Sequence, residues 1–478
     1  MSDGDYKTID QQVGLVGGTV LLVGTVVGIT VFLLPGELIG EAGPSIVLAM
    51  ALTAIPMTFA VLSLLQLGGA IPVAGGLYVY GSRLVGPFWG FLAIWLMVPA
   101  IWSVLLFTSI GFADFTNFFI DVPEMWLMMG ILTAFLLLNL LGITIVTQVQ
   151  LMMVVGIVLG MLAFIIPGSL QVDTANFTPM FDSGDPGGAE GFLVALVSLY
   201  IPFQGFSMII ELGEELENPV KNIPRVLGLG MLISVVISLA FVFVFVGVEN
   251  WEVLAAEDQA AVAYIATEVV SSEIGAAVAL AALLGAFTTL NALLTSYSRT
   301  IMRAARDELV PGTFAEIHPK TGVPYWSIIL LGLPPILLIG VGSLTGLELI
   351  TEVILDAVAL SLFLALILLF ANFVAGIALW RLPKIFPKRY EYSIYKLPMP
   401  VLKFVAVGIS VISAVFWLGV LGEMPMLIGL IVGLVLIGYV VYQYRIRRYQ
   451  KQGIDLKARM ALLHKHEQIG GSNSEGDD

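Results

Sequence analysis

Residues 20–40 read VLLVGTVVGITVFLLPGELIG, an almost wholly apolar run. Such a run is long enough to cross a hydrocarbon core of about 30 Å. Gly24, Gly28 and Thr30 sit in its middle, with Pro35 and Gly36 behind them. Glycine weakens a helix interior by roughly 1 kcal/mol relative to alanine. A backbone broken at bilayer depth leaves amides and carbonyls unpaired, which is tolerated only within protein or along a water-filled cavity. The bland reading of Gly24 and Gly28 is a small-xxx-small packing face, common in spanning helices.

The rest of the chain fits a membrane setting. Of 478 residues 58% are hydrophobic and only 12% charged, about half the charged share of a soluble domain. Apolar runs recur from end to end and predict twelve spans: 13–40, 44–68, 87–113, 124–142, 145–167, 190–213, 226–248, 274–300, 325–343, 353–380, 401–421 and 424–444. Longer connections are expected at 168–189, 249–273 and 381–400. With that count all lysines and arginines in the loops fall on one side, from Lys7 and Arg83 to the run RIRRYQK. Acids such as Asp114, Asp121, Glu124, Glu249 and Glu257 fall on the other. The positive-inside rule then puts both termini in the cytoplasm of a plasma-membrane protein. The chain has no cysteine, which excludes disulfides and thiolate metal sites. Its net charge of −14 fits either a high-salt habitat or plain loop composition.

A second break changes the reading of the first. The sixth span, FLVALVSLYIPFQGFSMIIELGEELENP, carries Pro202, Gln204 and Gly205 near its middle. Proline lacks an amide proton and clashes with the preceding turn. Spans 1 and 6, five apart, thus both carry breakers at mid-depth. Inverted-repeat transporters have interrupted helices at matching places in two halves. The expected units are 1–12, a cytoplasmic segment; 13–167, repeat 1; 168–189, an extracellular loop; 190–380, repeat 2; 401–444, two further helices; and 445–478, a cytoplasmic tail.

Four segments together resemble the amino acid–polyamine–organocation (APC) transporters. They are GTVVGITVF in span 1, IPVAGGLYVYGSRLVGP after span 2, GEELENPVKNIPRVL after span 6 and SYSRTIMRAARDELVPGTFAEIHPKTGVPYWS after span 8. The resemblance implies the all-α five-plus-five inverted-repeat fold of the leucine transporter. It also implies alternating access around a site between spans 1, 3, 6, 8 and 10. By position, the amides of Gly28, Ile29 and Thr30 would hold an amino acid's carboxylate, as a half-helix N-terminus favours. Carbonyls near Ile201, Pro202 and Gln204 would receive its ammonium, with Gly205 beside them. Phe203 and Phe206 would gate or shape the pocket, or simply pack. Thr30 replaces the family's usual last glycine, and Ser207 a frequent aspartate.

No cofactor is expected; the coupling ion is sodium or a proton. Span 5 lacks the lysine that some relatives carry near Gly156 or Ile157. Thr288 and Thr289 fall near two hydroxyls that bind sodium in other members of this fold. Carbonyls of Gly24, Val27 and Gly285 would complete a set of five oxygens, which suits a hard cation. The competing reading is local: helix threonines bond their own i−4 carbonyls. Among charges in the spans, Glu211, Glu352 and Asp356 are functional candidates because burial of charge is costly. Asp356 also fits a hydrated helix end. Glu214, Glu215 and Glu217 are expected to pair with Lys221, Arg225 or the arginines of span 8.

An enzyme is not expected: no membrane-embedded His–carboxylate set, Walker sequence or metal-ligand spacing occurs. The expected partners are an amino acid and membrane lipid, not nucleic acid. The rival readings are a polyamine or cationic amino acid antiporter and a non-transporting amino-acid sensor.

Overall fold

The computed structural model describes residues 13–71, 76–142, 147–181, 188–207, 216–257, 260–345, 356–393, 396–421, 425–453 and 455. Regular structure among them is helical, with a single isolated bridge between Val13 and Leu216. The helices are α1 Leu15–Val26, α2 Ile29–Ala42, α3 Ile46–Ala70, α4 Gly76–Tyr80, α5 Pro87–Asn117, α6 Glu124–Leu140, α7 Thr147–Gly168, α8 Gly188–Ser198, α9 Pro219–Val248, α10 Trp251–Ala255, α11 Ala261–Val269, α12 Ser272–Arg306, α13 Tyr325–Thr345, α14 Ala357–Ile385, α15 Pro387–Tyr392, α16 Met399–Leu421 and α17 Pro425–Gln450.

Nine stretches among the described residues are long and apolar enough to cross a membrane; one of them, Leu15–Ala70, holds α1, α2 and α3. Within it the chain turns at Gly43, whose φ of +56° ends α2 and suits a residue without Cβ. Pro44 then opens a short 3₁₀ turn into α3. With 31 residues, α5 is about 45 Å long and must tilt or protrude from the bilayer.

The helices sort by burial. In α14 the central window is 83% buried, whereas in α17 it is 17% buried. Phe404 and Leu418 on α16, and Leu436 and Val440 on α17, are all more than half exposed. A contiguous apolar surface of this kind suits lipid contact rather than water. The last two helices therefore clad a core made by the earlier ones.

Two expected loops contain helix. Residues 249–273 form α10 and α11, each started by a local turn, with Asn250 capping the amide of Glu252 at 2.9 Å. Residues 381–400 contain α15. Span 10 begins later than expected, because Asp356 caps α14 from outside it, Oδ1 accepting from the Ala359 amide at 2.8 Å.

Candidate functional site

The first break falls at two residues. Val27 leaves helical geometry at φ −89°, ψ 37°, while its amide still donates to Val23 O at 2.7 Å. Gly28 is extended at φ −71°, ψ −163°, and α2 restarts at Ile29. The first amides of a helix have no acceptor four residues back, and the helix dipole is positive there. Gly28, Ile29 and Thr30 occupy that start. Val27 and Ile29 have no exposed surface, and Thr30 is 6% exposed.

The second break begins where α8 ends at Ser198. Tyr200 and Ile201 donate to carbonyls only three residues back, Val197 at 3.2 Å and Ser198 at 3.0 Å. A 3₁₀ stretch then runs Pro202–Ser207. Proline supplies no donor to Ser198, so the α-helical ladder cannot continue through it. Ile201, Phe203 and Phe206 are all buried.

The two breaks lie against each other. A Cβ on Gly205 would stand 3.0 Å from both the carbonyl carbon and the oxygen of Thr25, so only glycine lets the 3₁₀ stretch meet the end of α1 so closely. Helix α12 closes a third side: a Cβ on Gly285 would lie 2.7 Å from the Ile29 nitrogen, and one on Gly28 would run into Thr289 Oγ1. Helix α5 closes a fourth through Gly111, which faces the Ile29 side chain. Helix α14 closes the fifth. Ser361 Oγ donates to Ser198 Oγ at 3.2 Å, and Asn372 Nδ2 donates to Tyr200 OH at 2.7 Å. Ser103 on α5 is tied to α14 by a 2.6 Å bond to Leu360 O.

Beside the first break, Thr288 Oγ1 lies between two carbonyls, Gly24 O at 3.2 Å and Gly285 O at 3.0 Å. Thr289 Oγ1 is buried with no hydrogen-bond partner. An orphaned buried hydroxyl beside two carbonyls and a second hydroxyl is an oxygen-rich pocket of the type hard cations prefer. The local bond to Gly285 O suffices for the single hydrogen of Thr288, but no local bond serves Thr289. Gly24 does both things weighed for it: its Cα face packs on Val154 of α7 and its carbonyl turns to Thr288.

The two ends of the bundle differ in charge. At the acidic end Phe32, Leu33, Glu37, Phe115 and Glu257 line a cavity of about 160 Å³, and Phe32 is one helical turn from Ile29. Asp114, on the last turns of α5, is 4% exposed, and among the described residues its carboxyl has no hydrogen bond or ion pair. At the basic end Arg83 Nη2 donates to Asp307 Oδ2 at 2.9 Å, both side chains fully buried. Tyr78 OH donates to the same carboxylate oxygen, and the Arg83 guanidinium lies 5.5 Å from the Tyr78 ring centre. Burial, then the Asp307 charge, push the Tyr78 phenol above its ordinary value, which keeps it a neutral donor. Nearby the Glu217 amide donates to Val13 O at 3.0 Å, next to the bridge of Val13 with Leu216.

Of the residues singled out in the sequence, Gly24, Val27, Gly28, Ile29, Thr30, Ile201, Pro202, Phe203, Gly205, Gly285, Thr288 and Thr289 are brought to this junction. The backbone of Gln204 lies in the 3₁₀ stretch. Glu211, Glu214, Glu215 and Glu352 lie outside the described residues. Glu217 is exposed, and among the described residues its carboxylate makes none of the expected ion pairs; its amide donates to Val13 O. Asp356 is exposed at a helix start. Sequence reasoning missed Ser198, Tyr200, Ser361 and Asn372. Their only signal was polarity within apolar runs.

Comparison with known proteins follows the same line. The family model described as "Amino acid permease" matches residues 17–454. The branched-chain amino acid permease BcaP of Bacillus subtilis (strain 168) is 24% identical over 363 residues, 72% of this chain and 76% of the relative. The serine/threonine exchanger SteT of the same organism is 26% identical over 333 residues, 67% of this chain and 74% of the relative. Cationic amino acid transporter 5 of Arabidopsis thaliana is 26% identical over 341 residues, 66% of this chain and 57% of the relative.

Proposed function

The chain belongs to the amino acid permease family, and from that premise we propose that it moves its substrate by alternating access around the junction of the two breaks. It is an integral membrane amino acid transporter and not an enzyme. In our reading it makes twelve passes, as two inverted five-helix repeats over 13–167 and 190–380 followed by α16 and α17. Both termini lie in the cytoplasm, on the side of the Lys/Arg-rich loops.

The substrate carboxylate meets the amides of Gly28, Ile29 and Thr30. The ammonium meets carbonyls near Ile201, Pro202 and Gln204. The observation that carries this reading is the approach of Gly205 to the Thr25 carbonyl, which sets one opened backbone against the other. In this reading the amides at the start of α2 and the carbonyls of the stretch that follows α8 supply opposite partial charges to one zwitterion. The described break residues carry no ionised side chain, which favours an uncharged amino acid. A cationic amino acid is the second reading, favoured by Glu37 and Glu257 at the acidic-end cavity.

Sodium as coupling ion would be held by Gly24 O, Val27 O, Gly285 O, Thr288 Oγ1 and Thr289 Oγ1, where it would neutralise the substrate's carboxylate side. The orphaned Thr289 hydroxyl supports that set. A proton is the alternative coupling ion.

The test is a thermal-shift screen of the purified protein with twenty amino acids, with and without sodium, followed by uptake of the stabilising ligand into proteoliposomes. A ligand that binds only the folded state raises its stability by mass action. Uptake lost in Gly28→Ala while the protein stays folded is the expected result. Binding without flux would favour a sensor. Sodium dependence unchanged in Thr288→Ala/Thr289→Ala would remove the ion site.

A further inference from the structure

Outside the junction, one corner of the basic end has three buried donors and nothing to receive them. Arg389, on α15, is 7% exposed, and its Nη2 is sealed without a hydrogen-bond partner. Among the described residues it makes no ion pair. Burial alone pushes its guanidinium below the ordinary value, with no carboxylate beside it to offset the effect. Ser393 lies four residues on, on the same face of that turn, and is 5% exposed with an orphaned Oγ. Glu391 is two residues from Arg389 and so faces away.

The third donor comes from α3. Gln66 is fully buried. Its Oε1 accepts from the Leu397 amide at 2.8 Å, which fixes the orientation of the amide and leaves Nε2 without a partner. The Tyr390 hydroxyl donates to Leu397 O at 2.6 Å, so Leu397 is tied to α3 through its amide and to α15 through its carbonyl. The two elements touch: a Cβ on Gly69, one turn beyond Gln66, would stand 3.0 Å from Ser393 Oγ.

All three groups have hydrogens to give, and one is a cation. One guanidinium nitrogen is sealed without a partner, and an anion with several acceptor oxygens matches the chemistry of all three donors. The surroundings point to the bilayer surface. Tyr392 and Trp380 are 70% and 49% exposed, and Lys403 Nζ lies over the Trp380 ring at 5.4 Å. Aromatic and basic side chains mixed in this way mark headgroup depth. Residues 381–400 hold five basic side chains and one acidic one, the composition of a segment drawn to anionic lipid.

We propose that Gln66, Arg389 and Ser393 form a binding site for a phosphate-type anion at the junction of α3 and the α14–α16 connector, filled in the membrane by the headgroup of an anionic phospholipid.

The experiment uses the full chain in nanodiscs of phosphatidylcholine, with or without phosphatidylglycerol, and a third arm of phosphatidylcholine discs with inorganic phosphate. Thermal unfolding and retention of phosphatidylglycerol by native mass spectrometry are read in parallel. The wild type is expected to gain stability with phosphatidylglycerol and to retain it. Arg389→Gln is expected to weaken retention about tenfold, the loss of one charge-assisted fork. Ser393→Ala, which keeps the charge, should weaken it less and guards against a folding failure of the first variant. Lys388→Gln removes an exposed charge next door and should change little. Stabilisation by inorganic phosphate without any by phosphatidylglycerol would support the anion site and assign it to a free ion. The proposal is overturned if neither probe stabilises the wild type, or if Arg389→Gln retains lipid as the wild type does.

Discussion

At the basic end of the bundle Arg83 and Asp307 meet at 2.9 Å with no exposed side-chain surface, whereas at the acidic end Glu37 and Glu257 face a cavity of about 160 Å³. The basic end is closed by a few strong, all-or-nothing contacts that join the loop before α5 to the end of α12. The acidic end is closed by aromatic packing, Phe32 against Phe115 and Phe241, beneath polar space. A buried ion pair cannot be half opened without leaving a bare charge in low dielectric. Packed rings can slide past one another by small steps. In the alternating-access reading proposed above, the two ends would then open at unequal cost, the basic end at the higher one.

That contrast can be broken by mutation. The largest effect is expected from Asp307→Ala, which strands the Arg83 guanidinium and should cost ~3–5 kcal/mol, read as a large drop in unfolding temperature in detergent. The double change Arg83→Met/Asp307→Leu should recover much of it, since apolar replacements of a buried pair are often neutral or better. An unaltered Asp307→Ala protein would mean that the basic end is held by something else.

Next comes Gly28→Ala. Its new methyl meets Thr289 Oγ1, and overpacking of this kind costs ~1–3 kcal/mol. Uptake should fall about tenfold or more, and Thr289→Ala placed in the same chain should return part of it. Tyr200→Phe should cost ~1 kcal/mol by leaving the Asn372 amide unpaired, read as lower stability with a shift in apparent substrate affinity. The smallest effect belongs to the acidic end. Glu257→Gln should change stability by less than ~0.5 kcal/mol. It should reduce uptake of a cationic amino acid more at low salt than at high salt, because screening already removes the field at high salt. A stability loss there as large as that of Asp307→Ala would erase the contrast.

Sequence alone revealed the parts of this arrangement that depend on local chemistry. Gly28 and Pro202 break helices for reasons contained in single residues, and both breaks stand where those residues stand. Thr288 and Thr289 were singled out by the resemblance, and they stand beside the first break. Partnerships across the fold were not legible. Arg83 and Asp307 are 224 residues apart, and both lie in quoted motifs, yet nothing local to either names the other. Tyr200 and Asn372, 172 residues apart, were less visible still, because a tyrosine or asparagine in an apolar run has many cheap local partners. Asp356 is a middle case. Hydropathy drew it into a span, yet a hydrated helix end was the favoured reading of its charge, and it is exposed with its carboxylate capping the helix after it.

The backbone clasp between Val13 and residues 216–217 joins the lead-in to α1 with the chain that follows the second break. Two segments sewn together at that tip are yoked. If α1 tilts during the proposed transport cycle, the route into α9 should follow, and the paired gaps should work as a shared hinge line instead of two independent elbows. Whatever loosens the stitch at Val13 should therefore be felt at both interruptions simultaneously, although neither one is touched.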